Sequence, residues 1–243
     1  AMVGKYIELA DAYKSVDEAL IHAGIANDVR VELIKIDSER MEKDGLALQE
    51  RFAGVNGILV PGGFGSRGIP GMIAAAGFAR EQGIPYLGLC LGLQVMVIEF
   101  ARAVAALSDA DSTEFSPATP HPVVSLLEEQ INVQNYGGTM RLGRSETVLI
   151  PGTLTAKAYG RDSIHERHRH RYEVSNENRS ALQEAGLVVA GHTPDGALVE
   201  AVEWPDHPFG VGVQFHPEFQ SRPVQPHPLF RAFIAAAARI AAT

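Results

Sequence analysis

A single cysteine lies where its thiol is expected to be chemically active. Cys90 is the only cysteine of the chain, in the stretch GLCLG (88–92) between an apolar run and a helical pattern. Gly-x-nucleophile-x-Gly is typical of a nucleophile elbow, a sharp strand-to-helix turn that presents the side chain at the edge of a sheet. The N-terminal dipole of the following helix would favour the thiolate, and the amide of Leu91 could donate to an oxyanion. On this stretch alone, an inert buried cysteine remains the alternative.

A possible base for this thiol stands in VQFHPEF (213–219). His216 and Glu218 are two residues apart at the end of a predicted strand, and in an extended chain such side chains share one face. The carboxylate could hold the imidazole in one tautomer while the other ring nitrogen faces the thiol. His-x-Glu alone is a common surface pair, but with an elbow cysteine it predicts a Cys-His-Glu triad.

A glycine-rich turn, VPGGFGSRG (60–68), follows another apolar run. Read literally, Gly63-x-Gly65-x-x-Gly68 matches a dinucleotide-binding fingerprint, although a Pro-Gly pair interrupts the expected start of the helix. We favour a turn beside the elbow whose bare amides line an oxyanion hole. A merely structural tight turn is a competing interpretation.

Three histidines alternate with arginines in HERHRHRYE (165–173). The arginines would repel a metal cation, and the stretch is too short and isolated for a nucleic-acid patch. Two interpretations stay open. One is an anion or carboxylate site, since arginine binds carboxylates in a bidentate manner; the other is a partly buried charge network on a strand.

The composition limits the classes of function. There are 21 basic and 29 acidic residues, for a net charge of −8, which argues against binding to a phosphate backbone. No apolar run approaches the ~20 residues of a membrane span, and the N-terminus lacks the pattern of a secretory signal. We therefore expect a cytoplasmic enzyme that acts on a small molecule, without nucleic-acid or membrane partners.

Strand-like and helical patterns alternate in the first half of the chain. Strands are predicted at 29–37, 56–63 and 84–90, and helical patterns at 39–54, 71–83 and 91–107. The second half predicts shorter strands, a hairpin over 186–204 that turns at Asp195-Gly196, a strand over 209–219 and a C-terminal helix over 227–241. This order predicts one α/β domain over 1–243, with a doubly wound, mainly parallel central sheet, flanking helices and a small antiparallel extension.

Three motifs occur here in the order found in the class I glutamine amidotransferases: PGG (61–63), GLCLGLQ (88–94) and QFHPE (214–218). The chain resembles that family, of the triad type. Within it, nearly the whole chain is similar to the glutaminase domains of CTP synthases. The segments that carry this second resemblance are GKYIELADAYKSVDEAL (4–20), GGFGSRG (62–68), STEF (112–115), GGTMRLG (137–143), RHRHRYEV (167–174) and HPLF (227–230). Two departures are Ala10, where proline is more usual, and a short stretch between Val123 and Gly137.

The resemblance implies a mechanism. The Cys90 thiolate attacks the side-chain amide of glutamine, while the amides of Gly63 and Leu91, with Gly62 as a further candidate, hold the oxyanion. His216 protonates the leaving ammonia and then activates water against the thioester, and Glu218 orients His216.

Carried over position by position, the resemblance also implies substrate contacts. A carboxylate suits the α-ammonium group of glutamine and an arginine suits its α-carboxylate. The implied substrate-binding residues are Gly63, Leu91, Gln94, Glu114 and Arg171.

The family resemblance also implies a partner. Such enzymes carry an N-terminal synthetase domain that binds UTP and ATP and uses the ammonia, and this chain has no phosphate-binding Gly-x-x-x-x-Gly-Lys-Ser/Thr loop. No cofactor or metal is implied for this domain; ATP, Mg²⁺ and the activator GTP are expected only with the full-length enzyme. The loop with Phe64 and Arg67 would lie near the GTP coupling. An excised domain and a free-standing homologue both remain open.

Three functions follow from the sequence. The first is a glutamine amidohydrolase that supplies ammonia for amination of UTP to CTP by a synthetase domain, with weak activity and little GTP response alone. The second is a non-catalytic or weakly active glutamine-binding regulatory homologue. The third, another cysteine hydrolase, is disfavoured by STEF and RHRHRYEV.

Overall fold

The computed structural model describes residues 1–9, 11–126 and 140–242. Its strands are β1 (Met2–Gly4), β2 (Lys35–Asp37), β3 (Ile58–Val60), β4 (Tyr86–Leu89), β5 (Ala110–Ser112), β6 (His121–Leu126), β7 (Arg141–Leu149), β8 (Ser163–His170), β9 (Tyr172–Val174), β10 (Val188–His192), β11 (Val199–Glu203) and β12 (Gly210–Val213). Its α-helices are α1 (Lys14–Ala26), α2 (Ser38–Lys43), α3 (Leu48–Arg51), α4 (Ile69–Gln82), α5 (Leu91–Ala103), α6 (Leu154–Tyr159), α7 (Asn176–Glu184) and α8 (Pro228–Ala241). A short 3₁₀ helix covers Pro217–Gln220.

Nine strands form the main sheet in the order β2-β1-β3-β4-β12-β11-β10-β7-β8, and β5, β6 and β9 form a smaller sheet. Pairing is parallel from β2 to β12 and antiparallel from β12 to β8. The predicted α/β class is confirmed, and the antiparallel part adds four strands, so that the main sheet is mixed.

Two apolar layers cover the faces of the main sheet. One contains the buried side chains of α4 and α5, and the other contains those of α1 and α8. The central strands β3, β4 and β12 are buried throughout, as expected for parallel strands with helices on both faces. Helices on both faces are the doubly wound arrangement that the alternating pattern predicts.

The register between β4 and β12 determines where the site forms. These strands run parallel, with Gly212 opposite Gly88 and Val213 opposite Leu89. The residues that follow the two strands, among them Cys90, therefore leave the same edge of the sheet side by side. In open α/β sheets, ligands bind beyond this carboxyl edge.

Several predicted elements differ in extent from the structure. The strand predicted over 209–219 ends at Val213 and is followed by the 3₁₀ helix. The strand predicted over 29–37 is limited to Lys35–Asp37, because only these residues pair with β1. The helical stretch 39–54 is divided into α2 and α3 by a turn with Gly45 at a φ of 67°. The predicted helix end at Gly83 and the hairpin turn at Gly196 are confirmed, with φ of 65° and 73°.

Within the described residues, no helix is both long and apolar enough to span a bilayer. Ala10 lies outside the described residues, as does the part of the stretch between Val123 and Gly137 that follows Leu126.

Candidate active site

Cys90 occupies the strand–turn–helix junction between β4 and α5. Its φ of 53° and ψ of −100° are uncommon for a residue with a side chain, and such strain concentrates at functional sites. Its amide donates to the carbonyl of Val213 at 2.8 Å, which ties the elbow to β12. The amide of Leu91 begins α5 and has no partner within the helix, so it remains a candidate oxyanion donor.

Gly88 and Gly92, on either side of Cys90, allow close packing. The strained backbone dihedral angles are those of Cys90 itself. A Cβ on Gly92 would lie 2.0 Å from the carbonyl oxygen of Val60, and one on Gly88 would lie 2.5 Å from the backbone of Gly92. Both contacts are with backbone atoms, which cannot rotate away. Glycine at these positions therefore lets α5 approach β3 and β4.

His216 and Glu218 meet beyond the end of β12. His216 Nδ1 and Glu218 Oε1 are 2.8 Å apart, which leaves Nε2 as the ring nitrogen for Cys90. Glu218 lies in the 3₁₀ helix rather than in an extended strand, so the predicted pairing is achieved by a turn. Burial lowers the pKa of His216, but hydrogen bonds to Cys90 and Glu218 outweigh burial and raise it to about 10.

The Pro-Gly-Gly turn packs against both reactive side chains. A Cβ on Gly62 would lie 2.8 Å from His216 Cε1 and 3.5 Å from Cys90 Cβ. A Cβ on Gly63 would lie 3.1 Å from a side-chain carbon of Leu91. This geometry supports a turn beside the elbow over the dinucleotide-binding interpretation.

A cavity of about 170 Å³ opens over these residues. Cys90, His216, Glu218, Gly62 and Gly63 line it, with further lining from Tyr6, Ala12, Tyr13, Ser15, Val16, Pro61, Phe64, Arg169 and Phe219. A larger cavity of about 460 Å³ is lined mainly by residues of segments 29–34 and 54–57 and of α8, and it lacks the cysteine and histidine. The smaller cavity is therefore the candidate active site.

The remaining predicted substrate residues do not line this cavity. Gln94 is buried, and its Nε2 donates to the carbonyl of Tyr172 at 3.1 Å. Glu114 Oε1 accepts from the amide of Gly65 at 2.7 Å, and Arg171 lies between β8 and β9. The structure thus brings together the three predicted catalytic residues and Gly63, with Leu91 adjacent.

Sequence reasoning missed other residues at the cavity. Tyr6, Tyr13 and Arg169 line it, and Gln214 contacts the thiol, with its Nε2 3.7 Å from Cys90 Sγ. All four residues lie within the sequence motifs that carry the family resemblance. Their position in these motifs is the signal that could have identified them.

The histidine-rich stretch forms strand β8 and contributes to a buried network of polar groups. Glu166, His168 and His170 are buried, while Arg167 and Arg169 between them are exposed. His168 Nδ1 and His170 Nε2 are 3.0 Å apart; burial lowers the pKa of His168 to about 2 and that of His170 to about 3. His168 Nε2 also lies 3.5 Å from Glu200 Oε2, so the buried face of the strand belongs to a polar network, while Arg169 lines the cavity and the anion-site interpretation stays a prediction. Among the described residues, no group of His, Cys, Asp and Glu is arranged to hold a metal.

Comparison with known proteins bears out the family. A model of the class-I glutamine amidotransferases matches residues 8–236. The CTP synthase of Rubrobacter xylanophilus is 59% identical over 97% of this chain and 42% of its own length. That of Roseiflexus castenholzii is 58% identical over 98% of the chain and 43% of its own length.

Solved structures agree. The glutaminase domain of Trypanosoma brucei CTPS, with bound acivicin, superposes with a TM-score of 0.88 at 41% identity, covering 98% of this chain and 92% of that one. A glutamine amidotransferase from Thermotoga maritima shares the fold alone, with a TM-score of 0.53 at 12% identity, covering 100% of this chain and 97% of that one.

The chain belongs to the class-I glutamine amidotransferase family. Within that family it is similar to the glutaminase part of CTP synthases, at 55–59% identity over nearly its whole length. It spans less than half the length of those curated relatives.

Proposed function

We propose that this chain hydrolyses the side-chain amide of L-glutamine through a thioester on Cys90. The observation that carries the proposal is the hydrogen-bonded series from Cys90 through His216 to Glu218 at a strained elbow. A histidine whose pKa is raised to about 10 is an imidazolium at neutral pH, and an imidazolium stabilises a neighbouring thiolate.

The first half of the proposed reaction forms the thioester. The thiolate attacks the amide carbon, and the carbonyl oxygen takes up negative charge beside the amides of Gly63 and Leu91. When the tetrahedral adduct collapses, the carbon–nitrogen bond breaks and His216 gives its proton to the departing nitrogen. Ammonia leaves, His216 is neutral, and the glutamyl group is bonded to Cys90.

The second half regenerates the enzyme. Neutral His216 takes a proton from water, and the resulting hydroxide attacks the thioester carbon. Collapse of this adduct breaks the carbon–sulfur bond and releases glutamate. The thiolate and imidazolium are then restored, with Glu218 holding the imidazole throughout.

We assign the binding of the α-ammonium and α-carboxylate groups of glutamine to Gln94, Glu114 and Arg171. Glu114 suits an ammonium group and Arg171 a carboxylate. Since Glu114 now accepts from Gly65 and Gln94 donates to Tyr172, the proposed contacts require these side chains to accept substrate as an additional partner or to exchange partners.

The ammonia acceptor is part of the proposal. The curated relatives are CTP synthases more than twice as long as this chain, which supports a synthetase domain that aminates UTP to CTP with ATP, Mg²⁺ and GTP as activator. We assign residues 1–243 to a single glutaminase domain that contains no cofactor. A cytoplasmic location fits a mechanism that needs a free, reduced thiol.

A second candidate is a weakly active glutamine-binding homologue. The observation that favours it is the cavity lining, which does not include Gln94, Glu114 or Arg171. On this view the substrate pocket forms fully only with the synthetase partner.

Glutamate release from glutamine tests the proposal, measured on the chain alone and with a synthetase domain, with and without GTP. We expect the synthetase domain and GTP to increase the rate, and Cys90→Ser to abolish it. A glutamine analogue with an electrophilic carbon should add to Cys90, as mass spectrometry of the intact chain would show. Undiminished hydrolysis by Cys90→Ser would exclude the thioester route, while glutamine binding without turnover under every condition would favour the second candidate.

A further inference from the structure

Gln214 contacts the thiol from the strand next to the elbow. It directly follows β12 and is fully buried. Its amide continues the pairing with β11 by donating to the carbonyl of Glu200 at 2.9 Å. Its side-chain Nε2 lies 3.7 Å from Cys90 Sγ, within reach of a hydrogen bond to sulfur.

The orientation of this side chain is fixed by a second glutamine. Gln94 Nε2 donates to Gln214 Oε1 at 3.4 Å and to the carbonyl of Tyr172 at 3.1 Å. Turning the Gln214 amide over would place its NH₂ against another NH₂ and its oxygen against the sulfur. The contact between the two amides would then lack an acceptor, and the oxygen would face the lone pairs of a thiolate, so the NH₂ group of Gln214 faces the sulfur.

We propose that Gln214 is a positioning residue that holds Cys90 Sγ and stabilises its thiolate through an N–H donor independent of His216. In the proposed reaction the sulfur is a thiolate before it attacks the amide and again when the carbon–sulfur bond breaks, and at both stages Gln214 supplies this donor in addition to His216. The consequence for catalysis rests on the proposed function, whereas the effect on the thiol does not.

The ionisable groups around the thiol come from several elements. His216 and Glu218 follow β12, Arg169 belongs to β8, and Tyr6 and Tyr13 line the cavity from the segment after β1 and the start of α1. Burial raises the pKa of Tyr13 to about 12. Burial lowers the pKa of Lys5, behind the Pro-Gly-Gly turn, to about 8. The Gln214 variants replace none of these side chains, so their alkylation profiles can be compared directly with that of wild type.

The pH dependence of alkylation by iodoacetamide isolates the thiol, because the chain has one cysteine. We compare wild type, Gln214→Met, which keeps the length without the donor, and Gln214→Asn, whose amide is one methylene too short. The matched control is Gln220→Met, because Gln220 donates to the carbonyl of His165 and to the carboxylate of Glu166 and not to the thiol. Circular dichroism and thermal unfolding establish that each variant is folded.

We expect Gln214→Met and Gln214→Asn to raise the midpoint of the alkylation profile by about one pH unit, which lowers the rate about tenfold below that midpoint. This is the size expected for one hydrogen bond to a charged group. Gln220→Met should match wild type. In the glutaminase assay, the Gln214 variants should lower kcat and leave KM nearly unchanged.

A Gln214→Met profile that coincides with wild type would overturn the inference. If Gln214→Met does not fold, Gln214→Asn decides by the same criterion, since the smaller amide cannot overpack the site. If wild type hydrolyses no glutamine, the proposed function fails while the alkylation comparison still decides the role of Gln214.

Discussion

The charge on His216 is the central feature at the scale of single residues. The imidazole is largely buried, which would ordinarily favour its neutral form. Its hydrogen bonds to Cys90 and Glu218 outweigh burial and raise its pKa to about 10. Glu218 is itself buried, with Oε1 on His216 Nδ1. Replacing this carboxylate should therefore change the pKa of His216 while the histidine itself stays in the site.

We predict that Glu218→Gln lowers the pKa of His216 towards its ordinary value of 6.5. A raised pKa in the folded state stabilises the fold fully below pH 6.5, and this contribution is lost as pH rises through about 10. The loss of unfolding free energy caused by Glu218→Gln should thus be largest near pH 6 and vanish above pH 10. NMR titration of His216 and urea unfolding at several pH values measure both effects.

The control for this prediction is Glu184→Gln, at an exposed glutamate that ends α7. It should leave both the histidine titration and the pH dependence unchanged. If His216 titrates in Glu218→Gln as it does in wild type, the Glu218 carboxylate does not raise the pKa of His216.

The sequence could predict Cys90, His216 and Glu218 as partners because each stands in a short motif of fixed spacing. It could not predict that Gln214 reaches the sulfur, since that contact depends on the register between β12 and β4. It also could not show that Glu114 already accepts from Gly65. Side-chain contacts between distant segments require the tertiary structure.

At the scale of elements, the site depends on how closely the Pro-Gly-Gly turn approaches the elbow. Gly62 has no side chain, and the space where a Cβ would stand belongs to the imidazole of His216. The turn follows β3, the elbow follows β4 and His216 follows β12, so three adjacent parallel strands deliver them to one edge. A single methyl group on Gly62 would disturb this convergence.

We predict that Gly62→Ala lowers glutamate release at least tenfold while the protein stays folded. The added methyl would lie 2.8 Å from His216 Cε1, and the imidazole must move away from Cys90. A small displacement of a catalytic group costs one to two orders of magnitude in rate. The glutaminase assay and the thermal unfolding midpoint measure the two effects separately.

Gly77→Ala is the matched control, because it adds the same methyl on α4, where the nearest atom is a carboxylate oxygen of Glu99 at 3.1 Å. It should retain wild-type activity. Full activity in Gly62→Ala would contradict the tight fit inferred here.

The elements themselves were predictable where apolar runs ended in Gly or Pro. Residues 29–34 were the exception: their alternation predicts a strand, but strand structure also needs a partner. Pairing with β1 covers only Lys35–Asp37, in register with Met2–Gly4. The alternation of apolar and polar residues indicates that a segment can form a strand. It does not indicate how many of its residues find a partner on the neighbouring strand.

At the scale of the whole molecule, one arginine joins the two sheets. Arg141 of β7 lies 2.5 Å from Glu200 of β11 in the main sheet and 3.4 Å from Glu173 of β9 in the smaller sheet. Both carboxylates are buried. Burial outweighs the nearby arginine and raises the pKa of Glu173 to about 8, so the link between the sheets is sensitive to pH.

The alternation of strands and helices predicted the α/β class, but the extent of the antiparallel half was not visible in the sequence. Its strands carry buried acidic side chains, among them Glu166, Glu200 and Glu203, so their sequences differ from those of apolar core strands. Such side chains are compatible with burial only when their partners are in place, and those partners lie on other strands and helices. Local pattern therefore underestimates this half of the sheet.

We predict that Glu173→Gln flattens the pH dependence of stability between pH 5 and 8. In the folded protein Glu173 keeps its proton up to about pH 8, whereas an ordinary glutamate loses it near 4.5. The folded state therefore binds more protons in this window, and its stability falls as pH rises, by at most about 1.4 kcal/mol per pH unit for one group. A glutamine side chain at this position has no proton to lose, so urea unfolding at pH 5, 6, 7 and 8 should give a shallower slope for the variant. Glu146→Gln, at an exposed glutamate of β7, should retain the wild-type slope, and equal slopes in wild type and Glu173→Gln would show that Glu173 is ionised throughout.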